Sequence, residues 1–121
     1  LFPHLTVAKN IGFGIRKSQK KAKVISDLLS LFKIEHLSNK YPHEISGGEQ
    51  QRTALARSMA PDPELLMLDE PFSALDKELK EELYTELNQI FKERKKTIVL
   101  VTHDLDEAKV LSNKQINLEN T

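Results

Sequence analysis

At 121 residues the chain suits one small domain and is too short for two ordinary ones. Its residues are 39% hydrophobic and 30% charged with a formal net charge of zero, so charge makes no case for nucleic acid or an anionic membrane as partner. No cysteine is present, which excludes disulfides and thiolate metal sites, and no apolar run approaches the ~20 residues that a membrane-spanning helix needs.

The opening Leu1-Phe2-Pro3-His4 has no methionine, basic leader or signal-peptide pattern, and reads as the start of a piece of a longer chain. Thr6 to Ile15 is expected to begin as a short helix capped by Thr6 and to end near Gly12 and Gly14. Ser18 to Ile34 reads as an amphipathic helix with Val24, Ile25, Leu28, Leu29 and Phe32 on one face. Leu37 to Ile45 is a connector broken by Pro42. A helix follows from about Gly47 to Met59 and stops at Pro61-Asp62-Pro63. Leu65-Leu66-Met67-Leu68 is a continuous apolar run ending in Asp69-Glu70, as in a strand buried on both faces of a parallel sheet. A charged helix from Lys77 to Arg94 presents Leu79, Leu83, Leu87 and Ile90 inward. Thr97 to Val101 is a second buried strand, rich in β-branched residues. Asp104 with Glu107 caps the next short helix, and Gln115 to Leu118 reads as one more strand. Strand, helix, strand, helix, strand is the alternation of a parallel α/β sheet. The first half is helical, so a boundary falls near Pro61, dividing residues 1–61 from 62–121.

Three groups of residues are candidates for chemistry. Ser46-Gly47-Gly48-Glu49-Gln50-Gln51-Arg52 opens a helix, where glycines admit a ligand close to the backbone and unpaired N–H groups suit a phosphate. Ser46 with Glu49 is equally a capping box, which starts many helices with no ligand. Asp69 and Glu70 stand at a strand end, where open α/β folds bind ligands. There an aspartate can help hold Mg²⁺ and a neighbouring carboxylate can polarise water; the alternative is an acidic turn that caps a helix. His103, just past the second strand, is either structural or within reach of a phosphate. His4, His36 and His43 have no ligand spacing.

In this order the pieces resemble the ABC ATPase family. Ile45-Ser46-Gly47-Gly48-Glu49-Gln50-Gln51-Arg52 resembles its signature motif, with Glu49 in place of the commoner glutamine. Leu65 to Glu70 resembles its Walker B strand, Ser73-Ala74-Leu75-Asp76 its D-loop, and His103 its switch histidine. The resemblance implies a partial P-loop NTPase (RecA-like) core with parallel strands, preceded by the family's helical subdomain. It implies ATP and Mg²⁺ as cofactors. Ser46, Gly47 and Gly48 would meet the γ-phosphate of ATP held by a second ATPase subunit, with Glu49 and Gln50 also in the nucleotide-binding segment. Asp69 would bind Mg²⁺, Glu70 and His103 would be catalytic, and Asp76 would reach across the dimer interface. None of the four glycines, Gly12, Gly14, Gly47 and Gly48, begins the G-x-x-x-x-G-K-[ST] phosphate loop that the family carries. This chain alone is therefore expected to be inactive. The opening residues resemble importer ATPases, which implies transmembrane permease subunits as partners, the cytoplasmic face of a membrane as location, and no nucleic acid. The competing classes are a non-transport ABC ATPase of DNA repair or translation, and a non-enzymatic remnant.

Overall fold

The computed structural model describes residues 1–16, 19–94 and 97–111. The expected last strand, Gln115 to Leu118, lies outside them. Five helices, two strands and two short 3-10 turns are present among the described residues.

Helix α1 spans Val7–Gly12 and starts where expected, with the Thr6 hydroxyl accepting from the Lys9 N–H. Asn10 is fully buried and ties the first turn of the chain to α1. Its amide nitrogen donates to the carbonyls of Phe2, Leu5 and Thr6, and its oxygen accepts from the Phe2 N–H at 2.9 Å. Helix α2 spans Lys21–Leu31, shorter than the expected Ser18 to Ile34. It ends early because Lys33 takes a left-handed conformation, φ 57°. The Ile34 N–H then donates back to the Leu29 carbonyl and the Lys33 N–H to that of Ser30, a helix stop usually marked by glycine. The Arg52 guanidinium donates to the Phe32 carbonyl at 3.0 Å and holds this end from another helix. The connector contains the 3-10 turns Glu35–Leu37 and Pro42–Glu44.

Helix α3 spans Gly47–Met59, strand β1 Leu65–Asp69, helix α4 Lys77–Arg94, strand β2 Thr97–Val101 and helix α5 Leu105–Leu111. The strands pair in parallel, with Leu65 opposite Thr97 and Asp69 opposite Val101, and α4 is the crossover between them. Leu66 and Leu68 are buried, as are Leu83, Tyr84 and Leu87 of α4. One hydrophobic cluster runs from Val7 and Ile11 through Phe32, Leu55 and Phe72 to Leu87, so both halves of the chain contribute to it.

The strands differ from expectation on their other face. Leu65, Met67, Val99 and Val101 are exposed, Met67 by 71%. An apolar run implies cover on both faces, but the described residues supply helices to one face only. Residue identity reports what a strand is suited to pack against, not whether this chain contains the partner.

Candidate functional site

The parallel register brings the ends of both strands to one edge. Asp69, the last residue of β1, is exposed there. Glu70 follows in a left-handed conformation, φ 47°, with its N–H donating to the Val101 carbonyl at 2.8 Å. That turn re-aims the chain, so Glu70 does not continue the strand. Its carboxylate accepts from the His103 N–H at 2.9 Å and also contacts the His103 ring at Nδ1. Glu70 and His103, 33 residues apart in sequence, are thus brought together. The His103 side chain is 87% exposed and the Glu70 side chain 30%, so the pair sits at an open edge.

The turn that carries His103 is pinned from below. Thr102 accepts from the Asp104 N–H and donates to the Glu107 carboxylate. Glu107 is buried, 2% exposed, and also accepts from the Tyr84 hydroxyl at 2.6 Å. Burial and this carboxylate push the Tyr84 hydroxyl far above its ordinary range. Of the expected caps for α5, only Asp104 serves: its carboxylate accepts from the N–H groups of Asp106 and Glu107. Glu107 is not a cap but a buried acceptor, because α4 places Tyr84 above it.

The mouth of α3 is the second element. The Ser46 hydroxyl accepts from the Glu49 N–H, and the Glu49 carboxylate accepts from the Ser46 N–H at 2.8 Å, completing the capping box. That backbone bond holds the Glu49 carboxyl below its usual value. The Gln50 amide donates to the Pro42 carbonyl at 2.8 Å, within its own chain. The N–H groups of Gly47 and Gly48 lie in the first turn, where no intrahelical carbonyl can accept from them. The two glycines differ. A Cβ on Gly48 would stand 2.9 Å from the Ala74 carbonyl oxygen, whereas a Cβ on Gly47 would meet nothing within 4 Å. Gly48 is therefore explained by packing against the 70–76 turn, and Gly47 by nothing among the described residues, which leave the space beside it open. Asp76 is exposed, with one carboxylate oxygen accepting from the Leu79 N–H to cap α4.

The two elements meet through Gln51, which the sequence does not single out beyond the motif. Its amide donates to the Glu70 carbonyl and the Ser73 hydroxyl and accepts from the Ala74 N–H at 2.7 Å. Its partners lie 19 to 23 residues away, so no local spacing signals them.

Chemically, the region offers one exposed carboxylate with hard oxygens (Asp69), a second carboxylate braced by a histidine (Glu70), and the mouth of α3 with first-turn N–H groups that no intrahelical carbonyl accepts. Among the described residues no cluster of three or more His, Cys, Asp or Glu could hold a metal ion alone. Mg²⁺ fits such a site, since it is commonly held by one or two carboxylates together with phosphate oxygens and water.

The ABC transporter family model matches residues 1–73, which takes in the helix mouth and the strand-end carboxylates. The chain belongs to the ABC transporter family. It is 46% identical over 118 residues to the spermidine/putrescine import ATP-binding protein PotA of Pseudomonas fluorescens (strain Pf0-1), covering 94% of this chain and 33% of that protein. It is 43% identical over 124 residues to the probable sulfate/thiosulfate import ATP-binding protein CysA of Chlorella vulgaris, covering 99% of this chain and 52% of that one. In three dimensions it resembles the dimeric ATP-binding cassette MJ0796 in a post-hydrolysis state bound to ADP and Pi. The TM-score is 0.81 at 32% identity, covering 91% of this chain and 51% of that structure. This ABC family member thus spans about a third to a half of the length of these curated relatives. The α/β fold with parallel strands is that of an ABC cassette, as the resemblance implied.

Proposed function

We propose that this chain is part of the ATP-hydrolysing subunit of an ABC importer, coupling ATP hydrolysis to movement of a solute across a membrane. The observation that carries the reading is the Glu70–His103 pair at the shared end of two parallel strands, beside Asp69. Glu70 accepts a hydrogen bond from the attacking water and polarises it toward a phosphate. His103 holds the Glu70 carboxylate in place and donates toward the γ-phosphate. Asp69 would supply a ligand to Mg²⁺, which would neutralise charge on the phosphate oxygens. Ser46, Gly47 and Gly48, with the capping box completed by Glu49 and followed by Gln50, face the phosphate of an ATP held by a second ATPase subunit. The open space beside Gly47 supports this placement. Asp76 lies on the surface that meets that subunit. Residues 1–61 act as the helical subdomain and 62–121 as the catalytic part.

The transmembrane permease docks on the helical part, at the cytoplasmic face of the membrane. A groove of about 360 Å³ between α1 and α2 is lined by Leu5, Ala8, Ile25 and the exposed Phe13, together with Lys9 and Lys21. A short amphipathic helix fits such a groove. No helix among the described residues is long and apolar enough to cross a membrane.

The test is Glu70→Gln in the full-length protein. ATP turnover should fall by about 10²-fold or more while ATP binding persists, and an ATP-dependent dimer should accumulate on size-exclusion chromatography. Turnover near the wild-type rate would show that Glu70 is not the water-polarising group. An inactive variant that never dimerises with ATP would remove the composite site.

A further inference from the structure

We infer that Gln51 is a positioning residue that sets the aim of Glu70 from the mouth of α3. It lies three residues after Gly48, on the same side of the helix. That side faces the 70–76 turn, since the position a Gly48 Cβ would take is 2.9 Å from the Ala74 carbonyl oxygen. A primary amide has two N–H donors and one carbonyl acceptor, and Gln51 uses both kinds. Its nitrogen donates to the Glu70 carbonyl and the Ser73 hydroxyl, each at 3.0 Å, and its oxygen accepts from the Ala74 N–H at 2.7 Å.

The turn needs this outside support. Glu70 sits at φ 47°, a conformation that non-glycine residues adopt only where the surroundings impose it. Three contacts impose it: the Glu70 N–H to the Val101 carbonyl on one side, and on the Glu70 carbonyl the Gln51 amide at 3.0 Å and the longer bond from the Ser73 N–H at 3.4 Å. With the Gln51 contact removed, only the longer Ser73 bond holds the Glu70 carbonyl, so the peptide after Glu70 gains freedom to rotate and the carboxylate to move relative to His103. Resting on the function proposed above, Gln51 ties the phosphate-facing helix mouth to the water-polarising carboxylate. It touches neither substrate nor metal and acts through Glu70.

The experiment is Gln51→Met in the full-length protein, which keeps the side-chain length and removes all three hydrogen bonds. Gln51→Glu keeps an acceptor for the Ala74 N–H but turns a carboxylate oxygen on the Glu70 carbonyl. Ser58→Ala, which loses a hydroxyl bond to the Leu55 carbonyl on the same helix, is the control. In both Gln51 variants kcat should fall about ten- to a hundredfold, as expected for a misplaced catalytic group. The KM for MgATP and the ATP-dependent dimer fraction should stay close to wild type, and Ser58→Ala should match wild type throughout. A kcat for Gln51→Met near wild type overturns the inference. So does a kcat loss that only follows a loss of folded protein in a parallel thermal melt, or a rise in KM that accounts for the whole effect. A wild-type protein that does not turn over MgATP overturns the functional reading itself, and the role of Gln51 with it; turnover abolished by Glu70→Gln but untouched by Gln51→Met overturns the role of Gln51 alone.

Discussion

Adjacent glycines at the mouth of α3 should respond to the same substitution in opposite ways. Neither has a positive φ, so alanine is compatible with the backbone at both positions. Replacing glycine by alanine at a compatible site stabilises by about 0.4–1 kcal/mol, chiefly by restricting the unfolded chain. At Gly47 the added methyl meets nothing within 4 Å, so the whole gain should appear. At Gly48 it comes to 2.9 Å from the Ala74 carbonyl oxygen and 3.6 Å from a Leu75 methyl. A backbone oxygen in a hydrogen-bonded turn cannot swing aside like a side-chain tip, so α3 and the turn must separate. Overpacking of this kind costs about 1–3 kcal/mol, which outweighs the alanine gain and leaves Gly48→Ala destabilised by up to about 2.6 kcal/mol. The two variants should differ by about 2 kcal/mol, or roughly 4–8 °C in melting temperature for a protein of ordinary subunit size. Activity should not follow stability. On the function proposed above, Gly47→Ala, the more stable protein, places its methyl where the first-turn N–H groups would face the phosphate, and its ATPase rate should fall by about tenfold or more. Thermal melts and steady-state turnover on the two full-length variants make the comparison. Equal losses of stability in both would refute the packing assignment; a fully active Gly47→Ala would show that the helix mouth meets no ligand.

Asp69→Asn should raise the Mg²⁺ concentration needed for half-maximal ATP binding, unlike Glu70→Gln, and a magnesium titration monitored by nucleotide fluorescence separates them. Tyr84→Phe removes a donor from the buried Glu107 carboxylate and should cost about 1–3 kcal/mol in urea denaturation; an unchanged midpoint would show that this hydroxyl bond adds no net stability. The Glu49 carboxyl, held below its ordinary value of 4.5 by the Ser46 N–H, favours the folded state as a carboxylate. That contribution is complete above the unfolded value and is lost as pH falls through the lower folded one, so Glu49→Gln should flatten the acid end of the stability profile. The 121-residue chain by itself should self-associate through the exposed face of Leu65, Met67, Val99 and Val101, and Met67→Lys should weaken that association in sedimentation velocity.

Much of this protein is written locally. Ser46 and Glu49 mark the start of α3, Pro61-Asp62-Pro63 its end, and the observed Gly47–Met59 follows. The Lys77–Arg94 stripe and the β-branched run Thr97–Val101 likewise announce their elements, because helix and strand periods are properties of neighbouring residues. The carboxylates at the end of β1, the helix mouth and His103 were legible as candidates for the same reason. Tertiary structure decided the rest. Lys33 stops α2 where no glycine signals a stop, because Arg52 holds that end. Glu107 is buried rather than capping, because α4 sets Tyr84 against it. Glu70 meets His103, and Gln51 meets both Glu70 and Ala74, only because strand register and helix packing bring residues 19 to 33 positions apart within hydrogen-bond distance. Short-range pattern records which conformations a segment prefers; which polar groups end up facing each other depends on how the segments pack.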